Sequence, residues 1–228
     1  MKSLKELFRI GPGPSSSHTL GPQRAAKLFK EAHADAASYV ADLFGSLSLT
    51  GKGHMSDVII IDTFAPKPCE VRFKSGENLK HPNTMVLYAY DKDGRELDQW
   101  TVYSIGGGAI EIEGKENSEG TEIYPHRSMK EIQAYCVQEG IRLCDYVDRF
   151  EDIDAFLQDI LLQMCKTVDQ GLNTSGYLPG KLKLERIGRK LLDKANQCDH
   201  AMEREKLLLS AYAYSASEEN AAGGITVT

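Results

Sequence analysis

Apolar residues recur at helical spacing in much of the chain and alternate with polar ones in the rest. The clearest run is Ile153 to Asn173, where Ile153, Phe156, Leu157, Ile160, Leu161, Met164 and Val168 share one face. This predicts a long helix whose stripe, Met and aromatic residues included, belongs to a core. Shorter helical patterns cover Ser3–Phe8, Leu20–Ala32, Met129–Glu139, Leu184–Gln197 and Glu203–Ser217. Period-two alternation predicts strands at Cys69–Lys74, Thr84–Tyr90 and Glu96–Ile105, the last two joined by the turn Asp91-Lys92-Asp93-Gly94. Ser38–Ser46 reads as a weaker strand on its aromatic and β-branched residues. Ser56–Thr63 is open: its isoleucines favour a strand, and Ser56 could equally cap a helix. The pattern is α+β, with helices on a small mixed sheet over residues 1–150 and an all-α segment over 151–228.

Between these elements lie stretches without periodicity. Gly11-Pro12-Gly13-Pro14-Ser15-Ser16-Ser17-His18-Thr19 combines backbone-fixing Gly and Pro with a cluster of hydroxyls, directly ahead of an apolar-periodic helix. Hydroxyl-rich backbone opening a helix suits an anion such as a carboxylate or phosphate, and His18 titrates near neutrality. Thr50-Gly51-Lys52-Gly53-His54 repeats the style. If both loops share one edge of the α+β layer, His18 and His54 line one pocket, where one can act as a general base. Lys52 could then bind a carboxylate or depress the imidazole pKa. Each histidine can equally be a satisfied loop residue. Gly106-Gly107-Gly108, after Tyr103-Ser104-Ile105, allows close approach of a ligand or a neighbouring strand. His81, before Pro82, reads as a turn residue. The acidic runs Glu111–Glu122 and Glu218-Glu219 read as solvated faces.

Charge and cysteine usage narrow the classes. The 228 residues carry a net charge of −6, against a nucleic-acid partner. No apolar run is long enough to span a bilayer, and the N-terminus lacks a signal peptide's apolar core; a cytoplasmic protein with no membrane partner is expected. The five cysteines, Cys69, Cys136, Cys144, Cys165 and Cys198, include no CxxC pair and read as reduced thiols rather than a disulfide framework or zinc site. P-loop, GxGxxG, GxSxG and HExxH patterns are absent.

Five ordered blocks, Ile10–Pro22 (IGPGPSSSHTLGP), Gly45–His54 (GSLSLTGKGH), Tyr103–Gly108 (YSIGGG), Gly171–Gly180 (GLNTSGYLPG) and Ser217–Gly224 (SEENAAGG), resemble the bacterial iron–sulfur-dependent L-serine dehydratases. The resemblance implies deamination of L-serine to pyruvate and ammonia without pyridoxal phosphate. It implies a [4Fe-4S] cluster held by three cysteines of an all-α domain, with one iron acting as a Lewis acid on the leaving hydroxyl. It assigns α-proton abstraction to His54. It makes Ser15, Ser16, Ser17, His18 and Thr19 an active-site loop, with Lys52 and Asn220 as further substrate-binding residues and His18 as a second catalytic histidine. The α+β part resembles the family's β domain, similar to a regulatory ligand-binding domain, and a homodimer is expected.

None of the five cysteines falls at a family ligand position. No cluster is therefore expected on this chain by itself, which reads as the N-terminal portion of a longer enzyme or one half of a split one. The missing cluster region would come from a C-terminal region or a separate subunit. The alternative is a non-catalytic module that uses the same loops to bind L-serine or another amino acid.

Overall fold

A computed structural model of the chain describes residues 1–76, 78–115, 122–180 and 182–228. It is mixed α and β, with eight α-helices and two sheets among the described residues. The larger sheet is built from β2 (Ser38–Leu43), β3 (Cys69–Phe73), β4 (Thr84–Tyr90), β5 (Glu96–Gly106) and β6 (Ala109–Ile112), in spatial order β3-β2-β4-β5-β6. Only the β2–β3 pair is parallel. The alternation in β2 and β4 sends Tyr39, Ala41, Leu43, Met85, Leu87 and Ala89 to one face. There they bury against Ala25, Ala26 and Phe29 of α1 (Gly21–Ala32) and Ile60 and Phe64 of α3 (Ser56–Phe64). Tyr39 stacks on Phe64 with ring centroids 4.1 Å apart. The β4–β5 turn forms where the Asp-Gly step predicts it: Gly94 has φ +76°, and Asp91 Oδ1 accepts from the Asp93 and Arg95 amides.

Several local expectations change once packing is present. Ser56–Phe64 is a helix, not a strand. Met55 turns the chain at φ +57°, and Ile60 and Phe64, one helical turn apart, reach the sheet together, so burial overrides the isoleucines' strand propensity. The Ser38–Ser46 strand stops at Leu43, because Gly45 (φ +56°) starts the short helix α2 (Gly45–Thr50). The expected N-terminal helix is one 3₁₀ turn, Leu4–Glu6, capped by Ser3. The Leu184–Gln197 helix starts only at Gly188, since the Leu178 amide bonds the Leu184 carbonyl in an extended pair.

Two elements had no periodic signal. One is β6; the other is α5 (Leu143–Phe150), which follows α4 (Met129–Glu139). Tyr146 of α5 and Ile132 of α4 bury against Tyr124 in a small second core. Glu151, just beyond, is buried and accepts from Ser3 Oγ, the Leu4 amide and Tyr124 Oη, fastening the N-terminus to this cluster.

The remaining helices are α6 (Asp154–Asn173), α7 (Gly188–Asn196) and α8 (Ala201–Ala221). Gly171 and Gly188 both abut Ser215 of α8, where a Cβ would meet Ser215 atoms at 2.3 and 2.4 Å, so the helices cross at backbone contact. The α6 stripe is only partly core. Ile153 and Ile160 are buried, while Leu157, Leu161 and Met164 are 40, 60 and 41% exposed. The Glu218-Glu219 pair is the reverse of a solvated face. Glu218 accepts from the Ile187 and Gly188 amides, capping α7, and Glu219 forms a buried ion pair with Arg186 at 2.6 Å. Of the acidic run Glu111–Glu122, residues 116–121 lie outside the described residues.

Removing one member of the Arg186–Glu219 pair strands a buried charge. Arg186→Leu should lower unfolding free energy by about 3–5 kcal/mol in urea titration, and adding Glu219→Leu should recover much of the loss.

Candidate functional site

The site is assembled at the second, two-stranded sheet. Strand β1 (Ile10–Pro12) pairs antiparallel with β7 (Ile225–Val227), placing Ile10 opposite Val227 and Pro12 opposite Ile225. Arg9 and Thr228 exchange backbone bonds of 2.8 and 2.9 Å beyond one end, and the Gly13 amide bonds the Gly224 carbonyl at the other. Gln163 Nε2 and Thr167 Oγ1 of α6 both donate to the Ile225 carbonyl. Asn220, at the end of α8, donates through Nδ2 to the Pro14 carbonyl and accepts from Thr226 Oγ1. A Cβ on Gly13 would lie 2.1 Å from the Asn220 carbonyl oxygen. Asn220 therefore locks the start of the serine turn to the chain's C-terminal residues.

The serine segment forms a π-type turn, Ser16–Leu20, running straight into α1. Ser15 caps it, its hydroxyl accepting from the His18 amide. The carbonyls of the turn are taken up by neighbouring hydroxyls: Ser104 Oγ donates to Ser17 O at 2.8 Å, and Ser56 Oγ donates to His18 O. Thr19 is buried and donates to the His54 carbonyl at 2.8 Å, fastening the second histidine loop to the first. The Gly106–Gly108 run turns β5 into β6 with three positive φ values. The close neighbour it admits is Leu20, 2.6 Å from where a Gly108 Cβ would sit.

These ties bring His18 and His54 together, with ring centroids 4.8 Å apart. His18 Nδ1 lies 2.9 Å from Ser17 Oγ, and its Nε2 lies 2.9 Å from Ser46 Oγ at the start of α2. Both partners are hydroxyls, able to donate or accept, so either tautomer of His18 is satisfied. Burial, then the nearby His54 charge, lowers the His18 pKa below the ordinary 6.5, against a smaller opposing hydrogen bond from Ser46. The imidazole of His18 is thus held neutral at pH 7.

The other expected site residues are distributed around this pair. Ser15 and Ser17 lie beside the His18 ring, with hydroxyls 3.4 Å apart. Ser16 and Asn220 line a neighbouring cavity of about 410 Å³ with Thr167, Thr226 and Thr228, and neither histidine contributes to its wall. Lys52 is exposed, its ammonium 5.1 Å from the centre of the Phe73 ring. Ser46, Ser56 and Ser104 were not among the expected site residues, Ser56 being expected only as a possible helix cap. The only available signal was their place inside or beside the motif blocks. The four remaining histidines have structural partners: His81 Nδ1 accepts from the Asn83 amide, His33 bonds Phe29 O and Asp98, His126 bonds Tyr146, and His200 Nδ1 accepts from the Glu203 amide at the start of α8.

Four of the cysteines lie on separate elements, Cys69 on β3, Cys136 on α4, Cys144 on α5 and Cys165 on α6, and Cys198 lies in the link between α7 and α8. Among the described residues no three Cys, His, Asp or Glu side chains converge as a metal site. The donor set of the described residues does not fit a [4Fe-4S] cluster.

The family model described as serine dehydratase beta chain matches residues 3–70 and 62–115, the stretch that carries the serine-rich π turn and the histidine pair. The chain belongs to the bacterial L-serine dehydratase family. It is 32% identical over 284 aligned positions to L-serine dehydratase 1 of Escherichia coli K12, covering 100% of this chain and 62% of the relative. L-serine dehydratase of Haemophilus influenzae is 30% identical with the same coverage of both chains. That of Streptomyces coelicolor is 31% identical, with 99% of this chain and 62% of the relative covered. The chain thus spans a little under two thirds of the length of these relatives.

A histidine with a lowered folded pKa takes up its proton more readily once unfolded. Stability should therefore be fully present above about pH 6.5 and fall as pH drops from there through the lower folded value. His18→Asn should flatten that segment of the stability–pH curve in denaturant titrations. NMR of the wild-type imidazoles should find His18 titrating below the free value.

Proposed function

We propose that this chain carries the substrate loops of an L-serine ammonia-lyase, with residues 1–150 as the β-type domain and 151–228 as part of the all-α catalytic domain. The observation that supports this reading best is the convergence of the SSSHT turn and the GKGH loop at a 4.8 Å histidine pair, in a chain whose relatives are named L-serine dehydratases.

His54 is the α-proton acceptor in this reading. Its backbone is fixed by Thr19, and its ring lies 4.8 Å from that of His18, whose own pKa is lowered by burial. Ser15, Ser16 and Ser17 supply hydroxyls for the substrate carboxylate at the turn that opens α1, while Thr19, buried and bonded to the His54 carbonyl, positions the two loops rather than touching substrate. Lys52 would reach the carboxylate only by leaving the Phe73 ring. Asn220 acts by holding the turn rather than by touching substrate. Loss of the α-proton and the β-hydroxyl yields aminoacrylate and water; tautomerisation to the imine and hydrolysis then yield pyruvate and ammonia. Lewis-acid help from a [4Fe-4S] cluster would require ligands from outside these 228 residues.

A second reading is an amino-acid-binding module that uses the same loops, and the hydroxyl-lined cavity of about 410 Å³ at Ser16, Thr167, Asn220 and Thr226 supports it.

The two readings share a first test. L-serine, but not D-serine, should perturb the His18 and His54 imidazole resonances; if neither enantiomer does, both readings fail. In the assembled enzyme with its cluster-bearing region, His54→Ala should lower kcat by about 10²–10⁴-fold in a pyruvate assay. Turnover surviving His54→Ala undiminished would place the base elsewhere.

A further inference from the structure

The acidic balance of the chain is not spread evenly. Along the outer side of α1 runs a groove of about 950 Å³ whose wall carries Lys5, Arg9, Arg24, Lys27, Lys30 and Lys67. Only two carboxylates, Glu6 and Glu31, share it, and Glu6 is paired with Arg9 at 2.9 Å. Six cations against two acids, in a protein of net charge −6, is a local reversal of sign.

Two of the lysines have a structural role. Lys30 Nζ donates to the Thr63 and Ala65 carbonyls at 2.8 and 2.6 Å, and Lys67 Nζ donates to the Ala34 carbonyl at 2.6 Å. These carbonyls lie at or just beyond the C-terminal ends of α3 and α1, where cations are favourable. The contacts fix both ammonium groups in place and leave each with donors to spare. They do not account for Lys5 or Lys27, both exposed, which bring further positive charge to the same wall. Like charges gathered in one concavity repel unless an anion lies between them, and a concave wall focuses the field of the charges lining it.

The geometry points to a binding site for a small, multiply charged anion, one bearing clustered phosphate or carboxylate groups, in the α1 groove. The volume is that of a small-molecule site. No aromatic side chain lines the groove, so the stacking platform that single-stranded nucleic acid uses is missing and recognition is by charge. The site is separate from the histidine pair and does not depend on the serine reading. Leu20 and Arg9, which flank the serine turn and β1, form part of its wall.

Tripolyphosphate and citrate serve as probes, titrated calorimetrically into the 228-residue chain. Binding of at least one is expected. It should weaken by about tenfold in Lys5→Glu and in Lys27→Glu, and by a similar factor on raising salt from about 0.05 to about 0.5 M. Binding of tripolyphosphate alone would assign the site to phosphates, and of citrate alone to carboxylates. The Lys5 charge also acts on Glu151, so folding is controlled on Lys27→Glu: Lys27 is exposed, and the thermal midpoint of that variant without ligand should stay unchanged, which separates lost binding from lost folding. Lys92→Glu, in the exposed β4–β5 turn, should leave binding intact. The proposal is overturned if neither probe binds, if the two groove variants bind as the wild type does, or if only a poly-glutamate peptide binds, which would make the groove a protein-docking surface.

Discussion

A three-residue strand pair closes the molecule. Ile10–Pro12 and Ile225–Val227 come from opposite ends of the chain, and their few backbone bonds bring the end of α8 against the start of the serine turn. Such a short ladder is marginal by itself. It persists because its neighbours are fixed: Gln163 and Thr167 hold the Ile225 carbonyl, Asn220 holds Pro14, and Gly13 leaves no side chain in the way. Behind them, Glu218 caps α7 and Glu219 neutralises Arg186. Four consecutive residues at the end of α8, Ser217 to Asn220, thus include three that fasten different elements, so the motif is read as a joint in the fold before it is read as chemistry.

Hydroxyl groups govern the histidine pair. Ser104 and Ser56 cap carbonyls of the turn, Thr19 ties the two loops, and Ser17 and Ser46 bracket the His18 ring. An imidazole bracketed by two hydroxyls has no carboxylate to stabilise its charged form, and burial removes water from it as well. Its neutrality follows from the surroundings rather than from any special residue. The groove on α1 differs: six cations are concentrated along one wall with two carboxylates among them.

Much of this was legible along the chain. The alternation of Thr84–Tyr90 and Glu96–Ile105, and the Asp-Gly step between them, specify a hairpin from local geometry alone, and the hairpin is there. The motif blocks located the serine turn and the His54 loop, because Gly, Pro and clustered hydroxyls are informative wherever they occur. Ser56–Thr63 stayed open between strand and helix because three consecutive isoleucines are apolar at every period. Only the sheet beneath Ile60 and Phe64 selects a helical one. The Glu218-Glu219 pair was misread for a related reason: charge implies solvent only until a partner such as Arg186, 33 positions earlier, is folded onto it.

The sequence by itself determined the α+β class, the hairpin, the two catalytic-style loops and the family, because each rests on local pattern or on ordered motifs. Tertiary structure decided that His18 and His54 meet, that Ser46 and Ser17 bracket one ring, and that Asn220 acts as a tie to the serine turn. It also gathered Lys5, Lys27 and Lys67 onto one wall. Those facts depend on contacts between residues up to 219 positions apart. Such contacts are set by the closure of sheets and the crossing of helices, which no window along the chain contains.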